Sequence, residues 1–281
     1  MEYTQKEIDF ILNNYEKYGS AYCEKHIGRG QANIGNKARQ LGLKRITKEK
    51  HPSMQKIDPR QFWDIKSKEV AYFLGYFWAD GSLIRQQRKN CNAHKIQMEI
   101  ASEDFLCVKD IFMSLGRWAI SYRKRKETWK ETTTITTNSV DIYQFLFDHD
   151  FKSKSFSEPT KILKKIPIDL HCSFWRGFFD GDGCLWFNEK YSKIEFSSTF
   201  DYKWIELSSL CSSLSIPSYH IYEYKHKTKG HQASKFVIYD RQNILIFIYY
   251  LLYSNIGLKR KTDKMHEFVG LYHSILPTPH P

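Results

Sequence analysis

Hydrophobic and polar positions change period several times along this chain, and each change marks an element. Thr4-Gln5-Lys6-Glu7 reads as a capping box opening a helix whose Ile8, Ile11, Leu12 and Tyr15 share one face. Gly19 interrupts it. A second short helix, Ser20 to His26, ends at Gly28-Arg29-Gly30, and a third, Gln31 to Leu41, turns Ile34, Ala38 and Leu41 inward. Asn33, Asn36, Lys37 and Gln40 lie on its other side. Residues 1–45 are expected to be a separate helical unit. Residues 46–66 are charged, contain Pro52 and Pro59 and lack sustained periodicity, so they read as a basic linker.

From Ser67 onward the patterning runs through one unit twice. An apolar helix ending at Asp80 precedes strands at Ser82 to Arg88 and His94 to Ala101, a helix at Asp104 to Leu115, strands at Ser121 to Lys126 and Thr132 to Thr137, and a helix at Val140 to Asp148. After Asp182 the order recurs: Cys184 to Asn188, Lys193 to Ser198, Tyr202 to Leu214, Tyr219 to Lys225, Ser234 to Tyr239 and Asn243 to Tyr253. Both copies reach a similar tail, Phe151-Lys152-Ser153-Lys154 and Leu258-Lys259-Arg260-Lys261. The expected fold is α+β, with two pseudo-symmetric αββαββα half-domains at 67–158 and 159–281.

Alternation within the strands assigns their faces. Leu185 and Phe187 point inward, leaving Trp186, Asn188 and Lys190 outward, and Gln86 and Arg88 are their counterparts in the first copy. Ile96, Met98 and Ile100 point inward against Lys95, Gln97 and Glu99, and Ile194 and Phe196 against Lys193 and Glu195. The basic strand adds Arg123 and Arg125. Such a face suits the donor and acceptor code of a DNA major groove; the plainer alternative is a solvated face of an antiparallel sheet.

The helices that open the two units are near-copies, FLGYFWADG at 73–81 and WRGFFDGDG at 175–183. Gly75 with Ala79, and Gly177 with Gly181, form small-residue stripes that let two helix backbones touch. That packing brings Asp80 and Asp182 together at one end, where Gly81 and Gly183 are expected to take the left-handed termination. A carboxylate at a helix C-terminus is unfavourable unless a cation offsets it, so the duplicated acid points to a site for a hard divalent cation. Asp180 is matched by Trp78 and is excluded as a symmetric ligand.

These paired motifs, with the duplication around them, resemble the twin signature of the LAGLIDADG homing endonucleases in their single-chain form. The resemblance implies a saddle of two sheets on double-stranded DNA and a monomeric, site-specific endonuclease. It would cut both strands across the minor groove, leaving short 3′ overhangs, at a long site that is non-palindromic or weakly palindromic. Mg²⁺, with Mn²⁺ as a substitute, would be held by Asp80 and Asp182 and by the main-chain carbonyls of Ala79 and Gly181. Lys154 and Lys261 fall where the family often has a basic residue near the reacting phosphate, with Lys152 and Lys259 as the alternatives. Residues 1–45 resemble a helix-turn-helix module whose third helix would offer Asn33, Asn36, Lys37 and Gln40 to DNA. An RNA maturase binding intron RNA and a non-catalytic DNA-binding regulator are the rival readings, and retention of both terminal acids favours the enzyme.

Composition narrows the partner. Lys and Arg outnumber Asp and Glu by 43 to 31, a net +12 that favours a polyanion, and 41% apolar content suffices for a real core. No apolar run is long enough to span a bilayer and no secretory leader is apparent, so no membrane partner and no secretion are expected. Six cysteines without metal-ligand or framework spacing read as reduced thiols, pointing to the cytoplasm, an organelle or a phage-infected host cell. No splicing end is present, which suggests a free-standing or intron-encoded mobile element.

Overall fold

A computed structural model describes residues 2–44, 49–50, 57–88, 91–124, 126–198, 202–225 and 232–275. Helices α1 (Gln5–Tyr18), α2 (Ser20–Ile27) and α3 (Gln31–Gln40) enclose a small core of Ile11, Cys23, Ile34 and Ala38. The capping box forms: the Thr4 hydroxyl accepts from the Glu7 amide at 3.3 Å, and Glu7 accepts from the Thr4 amide at 2.7 Å. Leu12 departs from expectation, being 44% exposed. One residue past Ile11 it lies about 100° round the helix, off the stripe that α2 and α3 cover.

The stretch expected to be linker is partly built into the main core. It holds β1 (Glu49–Lys50) and α4 (Arg60–Trp63), and Ile57, Phe62 and Ile65 are buried. The Phe62 ring packs on Phe73 and Phe145 at 5.8 and 5.9 Å. Three apolar residues at irregular spacing give no periodic signal, yet each fills a gap beneath the next element.

The first repeat comprises α5 (Lys68–Asp80), β2 (Gly81–Arg88), β3 (Cys91–Ala101), α6 (Ser102–Ser114), β4 (Ala119–Arg123), β5 (Thr132–Thr137) and α7 (Val140–Asp148). After α8 (Thr160–Lys165), the second comprises α9 (His171–Asp182), β6 (Gly183–Phe187), β7 (Ser192–Ser198), α10 (Ile205–Ser213), β8 (His220–Lys225), β9 (Gln232–Ile238) and α11 (Arg241–Leu252). The tail forms α12 (Lys259–Tyr272). Both sheets are antiparallel, ordered β1-β4-β5-β3-β2 and β6-β7-β9-β8, so the repeats share one strand order and β1 is an addition at the edge of β4. The fold is α+β with two αββαββα repeats, and one continuous core runs through both. No described helix is long and apolar enough to cross a membrane.

At the centre α5 and α9 run side by side in the same direction, so closely that only glycine fits. A Cβ on Gly75 would stand 1.8 Å from the Phe174 carbonyl oxygen, and one on Gly177 would stand 2.1 Å from that of Tyr72. Gly81 and Gly183 do not take the expected left-handed termination: φ is −74° and −87°, extended in both. Each helix runs straight into a strand, and the glycines serve by lacking a side chain, since a Cβ would meet the Phe77 and Phe179 rings at 2.3 and 2.1 Å.

Candidate functional site

The helix pair fixes the site. Asp80 and Asp182 are the last residues of α5 and α9, and the backbone contact continues to this end: a Cβ on Gly181 would stand 2.2 Å from Ala79 Cβ and 3.3 Å from Asp80 Oδ2. Both carboxylates reach solvent from a recess hemmed in by protein. This partial desolvation raises the pKa of Asp80, and it raises Asp182 to about 6 with the like charge of Asp80 adding to it. Neither carboxylate makes a hydrogen bond or an ion pair within 4 Å among the described residues.

Lys154 and Lys261 are the lysines that reach the site. Lys154 Nζ donates to the carbonyls of Phe77, Trp78 and Ala79 at 3.2, 2.7 and 2.5 Å. Lys261 Nζ donates to those of Phe179, Asp180 and Gly183 at 2.6, 2.8 and 2.7 Å. Lys152 instead donates to the Leu83 carbonyl, and Lys259 pairs with Asp263. An ammonium has three N–H donors, so each site lysine is fully engaged and acts as a fixed positive charge. Burial lowers both pKa values, Lys261 to about 8, against the opposing pull of the carboxylates. These ammoniums also sit at the C-terminal ends of α5 and α9 and offset the helix dipoles there. The chain's own lysines therefore offset the dipoles that the terminal acids oppose, and on that ground no metal is needed.

What still fits a hard cation is the donor set. Two crowded, mutually repelling carboxylates without protein donors leave oxygen lone pairs facing solvent. No group of three or more His, Cys, Asp or Glu side chains suited to a metal occurs among the described residues. A bound ion would complete its shell from carbonyl, phosphate and water oxygens. The Ala79 carbonyl already accepts from Lys154, whereas no donor reaches that of Gly181 among the described residues. A cavity of about 300 Å³ opens beside Asp182 and Lys154, walled by Trp78, Phe178, Tyr202 and Tyr224.

On the first sheet, Ile96, Met98 and Ile100 are buried while Lys95, Gln97 and Glu99 are partly exposed on the other face. Lys95 pairs with Gln97, and Glu99 accepts from the Thr132 hydroxyl at 2.7 Å. Gln86 and Arg88 stand opposite Ala93 and Cys91 in the register; their side chains, like all of Arg125, lie outside the described residues. Arg123 is exposed at the end of β4. On the second sheet Trp186 is 42% exposed, and Glu195 bridges Lys193 at 2.7 Å and Lys235 at 3.3 Å. Asn188 and Lys190 are not on strand positions, because β6 ends at Phe187. Asn188 Oδ1 accepts from the amides of Lys190 and Tyr191 at 2.9 and 2.8 Å and so shapes the β6–β7 turn.

The N-terminal helices dock on the first repeat: Tyr18 donates to Glu131 at 2.6 Å and Lys17 pairs with it at 2.8 Å. A groove of about 470 Å³ separates Tyr22, Lys25 and His26 from Lys95, Gln97 and Arg123. On α3, Asn33, Asn36 and Gln40 are exposed and Lys37 lies over the Tyr3 ring at 5.7 Å; with Arg29 they line a recess of about 590 Å³. Residues missed by sequence reasoning include Lys235, Tyr222 and Tyr224 on the second sheet. The strand expected at Ser234 to Tyr239 gives no alternation signal for Lys235, since Ala233 and Val237 on its own face are buried as fully as Ser234 and Phe236 on the other.

No family model matches the sequence, and no curated protein does. Among solved structures the chain is similar to the I-SmaMI LAGLIDADG homing endonuclease bound to cleaved DNA, at 13% identity and TM-score 0.46 over 72% of this chain and 87% of that one. It is also similar to the LAGLIDADG homing endonuclease I-GzeII in complex with DNA target, at 14%, 0.43, 74% and 93%. For I-DmoI in complex with DNA and Mn the values are 15%, 0.44, 66% and 96%. Likeness at this level says nothing of chemistry.

Proposed function

We propose that the chain is a monomeric, site-specific DNA endonuclease that uses Mg²⁺, or Mn²⁺ in its place, to break both strands of a long site. One observation carries the reading: two acid-ended helices in backbone contact set Asp80 and Asp182 side by side, open to solvent, with one fixed lysine charge behind each. Asp80 and Asp182 would hold the ion, with the Ala79 and Gly181 carbonyls beside them. A divalent ion in such a site lowers the pKa of bound water and neutralises charge on a reacting phosphate. Lys154 and Lys261 hold positive charge near the reacting phosphates without spending a donor on them. The polar sheet faces follow the duplex over the half-domains, 67–158 and 159–281, and residues 1–45 add contacts beyond one end. The net +12 supplies affinity through phosphates.

The test is a cleavage selection on a randomised duplex library, in Mg²⁺ and in chelator. The expected outcome is a single family of sites cut on both strands only with metal. Binding to a defined site with no cutting in Mg²⁺ or Mn²⁺ would contradict the enzyme and favour the regulator.

A further inference from the structure

Behind the site, the two repeats hold their lysines by different means. Three residues before Lys261 stands Leu258, whose amide donates to Asp180 Oδ2 at 2.8 Å. Asp180 is fully buried on α9, and the same oxygen accepts from the Tyr72 hydroxyl on α5 at 2.8 Å and from Arg176 Nε at 3.1 Å. Arg176, equally buried, reaches on with Nη2 to the Leu258 carbonyl at 3.3 Å and to the Thr262 hydroxyl at 2.6 Å. Gly257, at φ 144°, lies against the guanidinium so closely that a Cβ would meet it at 2.3 Å. The first turn of α12 is thus wrapped round a buried ion pair from both sides, and Lys261 belongs to that turn.

In the first repeat nothing ionic occupies these positions. Asp180 is matched by Trp78, Arg176 by Leu74 and Leu258 by Phe151, three residues before Lys154, and all three are buried. Trp78 packs edge-on against Phe151 with ring centroids 4.9 Å apart. An apolar contact there does what hydrogen bonds do in the second repeat.

We infer that Arg176 and Asp180 are positioning residues for Lys261 alone, so that one of the two strand-cutting centres depends on a buried ion pair and the other does not. The strand-specific part rests on the endonuclease reading; the clamp does not. An ion pair taken from water contributes little net stability compared with an apolar contact, but its directional bonds fix geometry. Loosening it should free the 254–262 segment and leave the Lys154 segment in place.

The experiment uses the full-length chain and its Asp180→Asn variant in two arms. In metal-free buffer, amide hydrogen exchange is followed at Leu258 and its segment, with residues 149–157 as the internal control. The expected result is an increase in exchange of about tenfold at Leu258, as a hydrogen bond to a charged group becomes a weaker one to a neutral amide oxygen. The control should not change. In Mg²⁺, on a selected site labelled on each strand, Asp180→Asn should slow one strand selectively, the same strand slowed by Lys261→Met. Should Asp180→Asn fail to fold, the double variant Arg176→Leu/Asp180→Leu, which leaves no unpaired buried charge, takes its place with the same expectations. Unchanged exchange, equal loosening of both segments, or equal slowing of both strands would overturn the inference. Absence of any cutting by the unaltered chain would refute the endonuclease reading, and the exchange arm alone would then decide the clamp.

Discussion

The two repeats have the same element order and the same strand order, yet they are supported differently. The outer edge strand of the first sheet, β4, is covered by β1 and touched by α1, which docks through Lys17 and Tyr18 on Glu131. Its counterpart in the second sheet, β8, is exposed at every residue, with Tyr222 and Tyr224 in the open. The first lysine lies in a run of turns behind an apolar contact and the second in a helix behind an ion pair. What the repeats share is the glycine contact between α5 and α9, the terminal acids and two of the three carbonyls that seat each lysine, Phe77 and Trp78 matching Phe179 and Asp180, while the third is Ala79 in one and Gly183 in the other. Geometry at the shared helix pair is therefore the constraint, and whatever supports it from outside is free to differ.

The largest effect should come from breaking what the repeats share. Gly177→Val drives a side chain into the Tyr72 carbonyl, a backbone atom that cannot yield, and should cost more than about 4 kcal/mol. Gly270→Ala in α12 meets nothing within 4 Å and should stabilise by about 0.5 kcal/mol. Chemical denaturation of both variants measures the contrast, and similar midpoints would show that the helix pair is not tight.

Acid should act next. The pKa of Asp182 is raised to about 6, first by burial and then by Asp80, so ionising it opposes folding in the metal-free chain. Its stabilising share is fully present below the unfolded value near 4 and is lost as pH rises through about 6. A divalent cation bound there would reverse that loss. Mg²⁺ should raise the unfolding midpoint at pH 8 and not at pH 5, and Asp182→Asn should remove the difference; a metal effect equal at both pH values would place the ion elsewhere.

Removing residues 1–44 should test the unequal flanks. The truncated chain should keep metal-dependent cutting, lose about tenfold or more in affinity and protect a shorter footprint at the first-repeat end only. An unchanged footprint would remove the N-terminal helices from the interface. The smallest effect is expected at the second sheet. Lys193 is a partly exposed partner of Glu195, so Lys193→Ala should change stability by less than about 0.5 kcal/mol while lowering the salt dependence of binding by about one ion.

Much of this architecture was legible in the sequence because it depends on period and repetition. The strand at Thr132–Thr137 and the helix at Val140–Asp148 have the bounds that the sequence predicts. The meeting of Asp80 with Asp182 followed from the spacing of Gly75, Ala79, Gly177 and Gly181. Features that depend on single contacts were not legible. Phe62 stands beside Trp63 in a charged stretch, and only tertiary packing buries the one and leaves the other 43% exposed. Asp180 has Trp78 as its counterpart, and two of its three partners, Tyr72 and Leu258, are distant in sequence, so its clamp with Arg176 carries no signal there. Gly81 and Gly183 depart from the left-handed cap that an Asp-Gly helix end predicts before a loop, because here a strand follows at once.

The most direct test of the central claim compares Asp80→Asn and Asp182→Asn with the unaltered chain on one selected duplex, measuring binding without metal and double-strand cutting in Mg²⁺. In the proposed function the carboxylates would hold the ion while the basic surface would supply most of the affinity. Each variant should therefore fold and bind within a few-fold of the parent and make no double-strand break. Normal cutting by either variant would contradict the account.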